Sequence, residues 1–125
     1  MAVEILSAEG DDLERLFVQA SFAEMRAFQQ LNPGMMFHLV GFTGSLKIEI
    51  FSDEHPPPHF RVKFHQQTAN FEIATCRRLN GNLERRDREV SLWWKLHRKV
   101  IAEEWNNHRP TNCPVGRIDV KTLNW

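Results

Sequence analysis

The sequence is poor in cysteine, has no long apolar run and carries no net charge, and each deficit narrows the field. Cys76 and Cys113 are the two cysteines in 125 residues, too few for a disulfide framework or a four-thiolate zinc site. Free thiols in a reducing compartment are the expectation. No apolar run approaches the roughly 18 residues of a spanning helix. Residues 1–12 lack the basic and apolar regions of a secretory signal, so a cytoplasmic location with no membrane role is expected. Sixteen basic residues balance sixteen acidic ones, so whole-chain charge does not mark a nucleic-acid or membrane binder. What remains is ordinary: 42% hydrophobic and 26% charged residues, as in a globular chain. One domain of this length buries roughly two thirds of its unfolded surface.

The balanced charge is unevenly spread. Residues 1–31 hold six acids against Arg15 and Arg26, a net of −4. Residues 77–100 hold eight bases against three acids, a net of +5. Such asymmetry marks either a site for a charged partner or two segments that neutralise one another.

Helical spacing of Leu13, Leu16, Phe17, Ala20, Ala27, Phe28 and Leu31 predicts a first helix. Asp11, with Glu14 three residues on, has the form of a capping box. Asn32-Pro33-Gly34 stops the helix, so residues 1–34 read as an acidic helical extension. Residues 36–42 form a short apolar run that reads as a strand, ending at a Thr43-Gly44 turn. Period-two alternation predicts strands around Leu46, Ile48 and Ile50, around Phe60, Val62 and Phe64, and around Phe71, Ile73 and Thr75. Gln66-Gln67 is the expected tight connection between the last two. Asn80-Gly81 predicts a hairpin between 77–79 and 83–85, since a type I′ turn needs positive φ.

A second helix begins near Asp87, with Val90, Trp93, Trp94, His97, Ile101 and Trp105 on one face and Pro110 beyond its end. Residues 117–123 alternate like an edge strand but equally fit a loose tail. The apolar sheet face and the aromatic stripe need each other. The fold class is therefore α+β, an antiparallel β-meander of three to five strands with helices packed on one face, in a single domain 1–125.

One segment is unusual. Asp53 to Phe60 holds three prolines between two histidines, a stiff connector that cannot pair within a sheet. Ile48-x-Ile50-Phe51, then Asp53-x-His55-x-Pro57-Pro58-His59-Phe60, resembles the signature of the bacterial domain-of-unknown-function family 4160. Trp93, His97 and Trp105 resemble the helix of that family in residue type and spacing. The resemblance spans residues 44–108, leaves out the acidic extension and the tail 109–125, and breaks at Arg61, where the family usually has a histidine. It implies a small bacterial protein encoded beside another small protein, and so a partner-binding regulatory module of the toxin–antitoxin kind.

The chemistry of these residues leaves several readings open. On an extended proline segment His55 and His59 stand about 12 Å apart, too far for two zinc–nitrogen bonds of about 2.0–2.1 Å to one ion without a sharp bend. Arg61 adds a fixed positive charge, so Asp53 with His55 is all that remains of a ligand set, and neither metal nor cofactor is expected. His59, Arg61, Lys63 and His65 should project from one polar strand face, with Glu49 and Glu72 on neighbouring strands. A histidine base and an arginine beside a phosphate suit a metal-independent ribonuclease, which makes His55, His59 and Arg61 the catalytic candidates. Ordinary cross-strand charge pairing explains the same residues without an enzyme. His97, on the aromatic stripe, reads as a satisfied core residue bonded to backbone or carboxylate groups, one option being to hold the proline loop through His55 or Asp53. Arg77, Arg78, Arg85, Arg86 and Arg88 flank the expected hairpin turn. They suit phosphate contacts to nucleic acid, an acidic protein partner, or the chain's own acidic helix.

Overall fold

The alternating apolar residues of the middle of the chain gather into one sheet. The computed structural model describes residues 2–5, 7–34, 41–51, 57–83, 85–108 and 116–125. Five strands, β1 (Ala2–Ile5), β2 (Lys47–Phe51), β3 (His59–Phe64), β4 (Gln67–Glu72) and β5 (Arg78–Asn82), lie in the order β1-β2-β3-β4-β5. Every neighbouring pair is antiparallel. Two helices, α1 (Ser7–Leu31) and α2 (Asp87–Asn107), complete the α+β fold.

Strand periodicity sets the core. Ile48, Val62 and Ala69 are cross-strand neighbours, as are Phe60 and Phe71, and all five are buried. Side chains two apart on a strand share a face, so these positions form one apolar surface. Helix α2 lays Trp93 over Phe60 at 5.8 Å, and Phe60 stacks on Phe71 at 5.6 Å. Helix α1 sets Phe17 edge-on to Phe64 at 5.4 Å. Each indole N–H of α2 donates to a carbonyl: Trp93 to Glu9 at 2.7 Å, Trp94 to Ile73 at 2.7 Å and Trp105 to Gly116 at 2.5 Å. The three large side chains are thus buried without orphaning their donors.

Several expectations need correction. Ala2–Ile5, read with the helical extension, is a strand that pairs Val3 with Ile50 and Ile5 with Ile48. Helix α1 begins at Ser7, a turn ahead of Asp11, so Asp11 and Glu14 make no capping box. Gly10 is buried beside Leu46 and Ile48, with room for an added Cβ at ordinary contact, 3.5 Å from the Leu46 carbonyl oxygen. Within the run 36–42, residues 36–40 lie outside the described residues, and Gly41 and Phe42 are not in a strand. The β3–β4 turn is His65-Gln66, closed by Phe64 opposite Gln67, with His65 at φ 54°.

Asn80-Gly81 is not a hairpin turn. Both residues lie inside β5, opposite Asn70 and Ala69. The register slips between Asn70 and Phe71, which leaves Leu79 as an extra residue in a bulge. Gly81 has φ 85°, and a Cβ there would collide with the Thr68 carbonyl and the Ala69 Cα. The glycine therefore answers a close backbone approach in an edge strand.

Helix α2 keeps its expected span and buries Val90, Trp93, Trp94, Ile101, Ala102 and Trp105. Pro110 lies outside the described residues. The tail is neither strand nor loose: Asn106 donates to the Ile118 carbonyl at 2.9 Å and accepts the Ile118 N–H at 2.8 Å. Ile118, Val120 and Trp125 pack against the core.

Candidate functional site

His55 and Asp53 lie outside the described residues, so the site is built from the end of the proline segment onward. Proline supplies no N–H but leaves its carbonyl to be used. Here the Pro58 carbonyl accepts the Ile73 N–H at 2.9 Å. The His59 ring turns back so that Nδ1 meets the Pro57 carbonyl at 2.9 Å. A carbonyl only accepts, so Nδ1 is the donor in this contact. The same ring rests on Trp105 of α2 at 5.6 Å, and His59 is 9% exposed.

Arg61, two residues on, belongs to the polar face of the sheet. Glu49, Arg61, Asn70 and Asn80 are successive register partners across β2, β3, β4 and β5. Arg61 Nε donates to Asn70 Oδ1 at 3.2 Å, and Asn70 Nδ2 donates to Asn80 Oδ1 at 2.6 Å. Lys63 is exposed on the same strand, while His65 has left the row for the turn. The carboxylates stand where the strand pattern places them, Glu49 opposite Arg61 and Glu72 opposite His59. Glu72 is engaged by the Thr75 hydroxyl at 3.2 Å and by Arg77 at 3.3 Å.

His97 joins the helices. Its Nε2 lies 3.9 Å from Asp12 Oδ2 of α1, and its ring packs on Trp93 at 5.1 Å. The partner seen is thus Asp12; His55 and Asp53 are outside the described residues. Among those residues no three His, Cys, Asp or Glu side chains converge as ligands would.

The arginines do not share a hairpin tip, because that hairpin does not form. Arg77 pairs with Glu72 at 3.3 Å and Arg78 with Asp87 at 3.1 Å. Arg86, 13% exposed, grips Glu24 of α1 through two bonds of 2.8 and 2.9 Å and also donates to the Ser21 hydroxyl at 2.9 Å. That guanidinium holds the Glu24 carboxyl below its ordinary range. Arg85 and Arg88 are exposed. At this point the basic segment does meet the acidic helix.

Two features escaped the sequence reading. A cavity of about 200 Å³ lies among Ser21, Phe64, His65, Gln67, Leu83 and Arg86; its walls come from distant stretches of chain. Glu14, 0% exposed, accepts the N–H groups of Leu46 at 2.8 Å, Thr43 at 2.6 Å and Gly44 at 3.1 Å. Burial pushes its carboxyl up, but the N–H groups of Leu46, Thr43 and Gly44 and the Thr43 hydroxyl outweigh this and leave it below its ordinary range.

The chain is thus a two-layer α+β protein, an antiparallel sheet with a polar face and an apolar face, the second helix covering His59 through Trp105. Residues 46–106 match the family described as a domain of unknown function, DUF4160. The comparisons with curated proteins and with solved structures returned no match. Among the described residues no helix is long and apolar enough to cross a membrane.

Proposed function

We propose that the protein is a partner-binding regulatory module of the bacterial cytoplasm, of the toxin–antitoxin kind, whose partner is a small protein encoded nearby. The observation that carries this reading is the apolar stripe of α1. Leu13 and Phe17 on that stripe are 0% and 1% exposed, whereas Phe28 and Leu31, further along it, are 42% and 82% exposed. A stripe that buries its first half in the core and ends on Leu31 at 82% exposure is the pattern of an interaction surface. The ribonuclease alternative asks His59 to meet a substrate, yet the residue is 9% exposed and its ring rests on Trp105. The nucleic-acid alternative asks the arginines to be available, yet Arg77, Arg78 and Arg86 are paired with Glu72, Asp87 and Glu24.

Co-expression with the product of the adjoining reading frame tests the reading. The two chains are expected to co-elute from size exclusion, and Phe28→Ser with Leu31→Ser to separate them. Separate elution of the native chains at micromolar concentration would overturn it.

A further inference from the structure

A second surface, on α2, goes beyond that reading. Leu92 and Leu96 are 46% and 83% exposed. They stand one turn apart, away from the face that buries Val90, Trp93, Trp94, Ile101 and Trp105, so the core makes no use of them. Arg88, Lys95 and Lys99 are exposed too, and at 3.6 residues per turn they share an arc of about 100° with the two leucines. None of these three cations has an ion pair or hydrogen bond among the described residues. Of the other bases of this part of the chain, Arg77, Arg78 and Arg86 sit on carboxylates and Arg98 over the rings of Trp94 and Trp125, while Arg85 is exposed just ahead of the helix. The unpaired cations of α2 are gathered around its only two large exposed apolar side chains among the described residues, with exposed Glu103 the one acid on the same arc.

We propose that the outward face of α2 docks an acidic, leucine-bearing helix of a partner protein. Two leucines at i and i+4 make the short ridge that packs between the side chains of a facing helix, and cations flanking an apolar seam select carboxylates on the opposite helix. The charge is the argument for the occupant. A second copy of this chain fits poorly, because its own outward α2 face sets three cations against the single acid Glu103, and α1 beyond Glu24 carries Arg26 and no acid. An anionic bilayer asks for a broader apolar face with aromatic residues. Nucleic acid would use the cations but leave the leucines with nothing apolar to meet.

The test uses the full chain and a synthetic helical peptide of about 20 residues, long enough to hold a helix, with leucines at i and i+4 flanked by glutamates. Fluorescence anisotropy is expected to show saturable binding that weakens with salt. Leu96→Ser, and separately Lys95→Glu with Lys99→Glu, are expected to weaken it about tenfold or more. A peptide of the same composition with its leucines moved out of register should lose as much. Equal binding of the out-of-register peptide, or variants that bind like the native chain, would overturn the proposal. So would tighter binding of phosphatidylglycerol vesicles or duplex RNA through the same residues, or self-association that Leu96→Ser abolishes. These variants leave Phe28 and Leu31 intact, so failure here is separate from failure of the co-elution experiment.

Discussion

Glu14 Oε1 accepts the N–H of Leu46 at 2.8 Å, while Oε2 accepts those of Thr43 and Gly44. One buried carboxylate therefore satisfies the backbone that leads into β2, from a helix about thirty residues earlier in the chain. A charged acceptor for several N–H groups is a strong arrangement in a dry site. Glu14→Gln keeps one acceptor but turns an amide NH₂ toward donors, and is expected to cost about 1–3 kcal/mol in urea unfolding. The folded carboxyl sits below its ordinary value of 4.5. Its contribution is therefore complete above that pH and is lost as pH falls through the lower, folded value. Glu14→Gln should lose this component of acid destabilisation below about pH 4.5.

Gly81 and Gly34 make a matched pair. Both have positive φ, 85° and 89°, but Gly81 faces the backbone of Thr68 and Ala69 while Gly34 faces nothing within 4 Å. Gly34→Ala should cost about 1–2 kcal/mol, the left-handed penalty alone. Gly81→Ala should cost clearly more, because β4 and β5 must move apart. Equal losses in chemical denaturation would mean that the bulge yields freely.

Legibility followed how local the controlling interaction is. Helix α2 was readable because its stripe from Val90 to Trp105 repeats at helical period and demands an apolar surface of its own. Strands β2, β3 and β4 were readable from alternation, whereas β1 was not. Asn80-Gly81 misled because positive φ at a glycine serves a type I′ turn and a bulge alike; the contact with Thr68 and Ala69 decides between them, and it is tertiary. Glu14 misled for a similar reason, since its spacing from Asp11 fits a local cap but its partners lie at 43–46. His59 shares strand parity with Arg61, yet Trp105 covers it at 5.6 Å. Nothing near His59 in the sequence signals that lid.

The Arg86–Glu24 contact ties the start of α2 to the middle of α1. Arg86 is 13% exposed and Glu24 54%, so water screens the carboxylate and the coupling is modest. A double-mutant cycle with Arg86→Met and Glu24→Gln is expected to give about 1 kcal/mol. Arg86→Met alone should cost more than Glu24→Gln alone, because it also frees the Ser21 hydroxyl and removes the neighbour of Glu89 at 3.8 Å.

Cys76 sits at φ 61° in the turn after β4, with its N–H bonded to the Glu72 carbonyl at 2.8 Å. Burial, and secondarily the charge of Asp87, push its thiol up to about 12. The thiolate is the reactive form, so native Cys76 should resist iodoacetamide at pH 8 and react fully once unfolded. Peptide mapping by mass spectrometry reads this residue apart from Cys113. Rapid native labelling at Cys76 would show that the turn opens.

The last expectation concerns His59, where a site for chemistry and a structural clasp make opposite forecasts. A catalytic or contact histidine contributes little to folding, so its removal leaves stability within about 1 kcal/mol. The ring seen here bonds the Pro57 carbonyl at 2.9 Å and lies against Trp105 at 5.6 Å. Removing it opens space under a buried indole and leaves a proline carbonyl without its donor. His59→Ala is therefore expected to cost about 2–3 kcal/mol. His59→Asn, whose amide can reoccupy the place of Nδ1, should recover part of that loss but not the ring contact. Urea melts followed by tryptophan fluorescence would measure both. If His59→Ala proves neutral for folding while abolishing partner binding or RNA cleavage, the ring is available to a ligand and the clasp account fails.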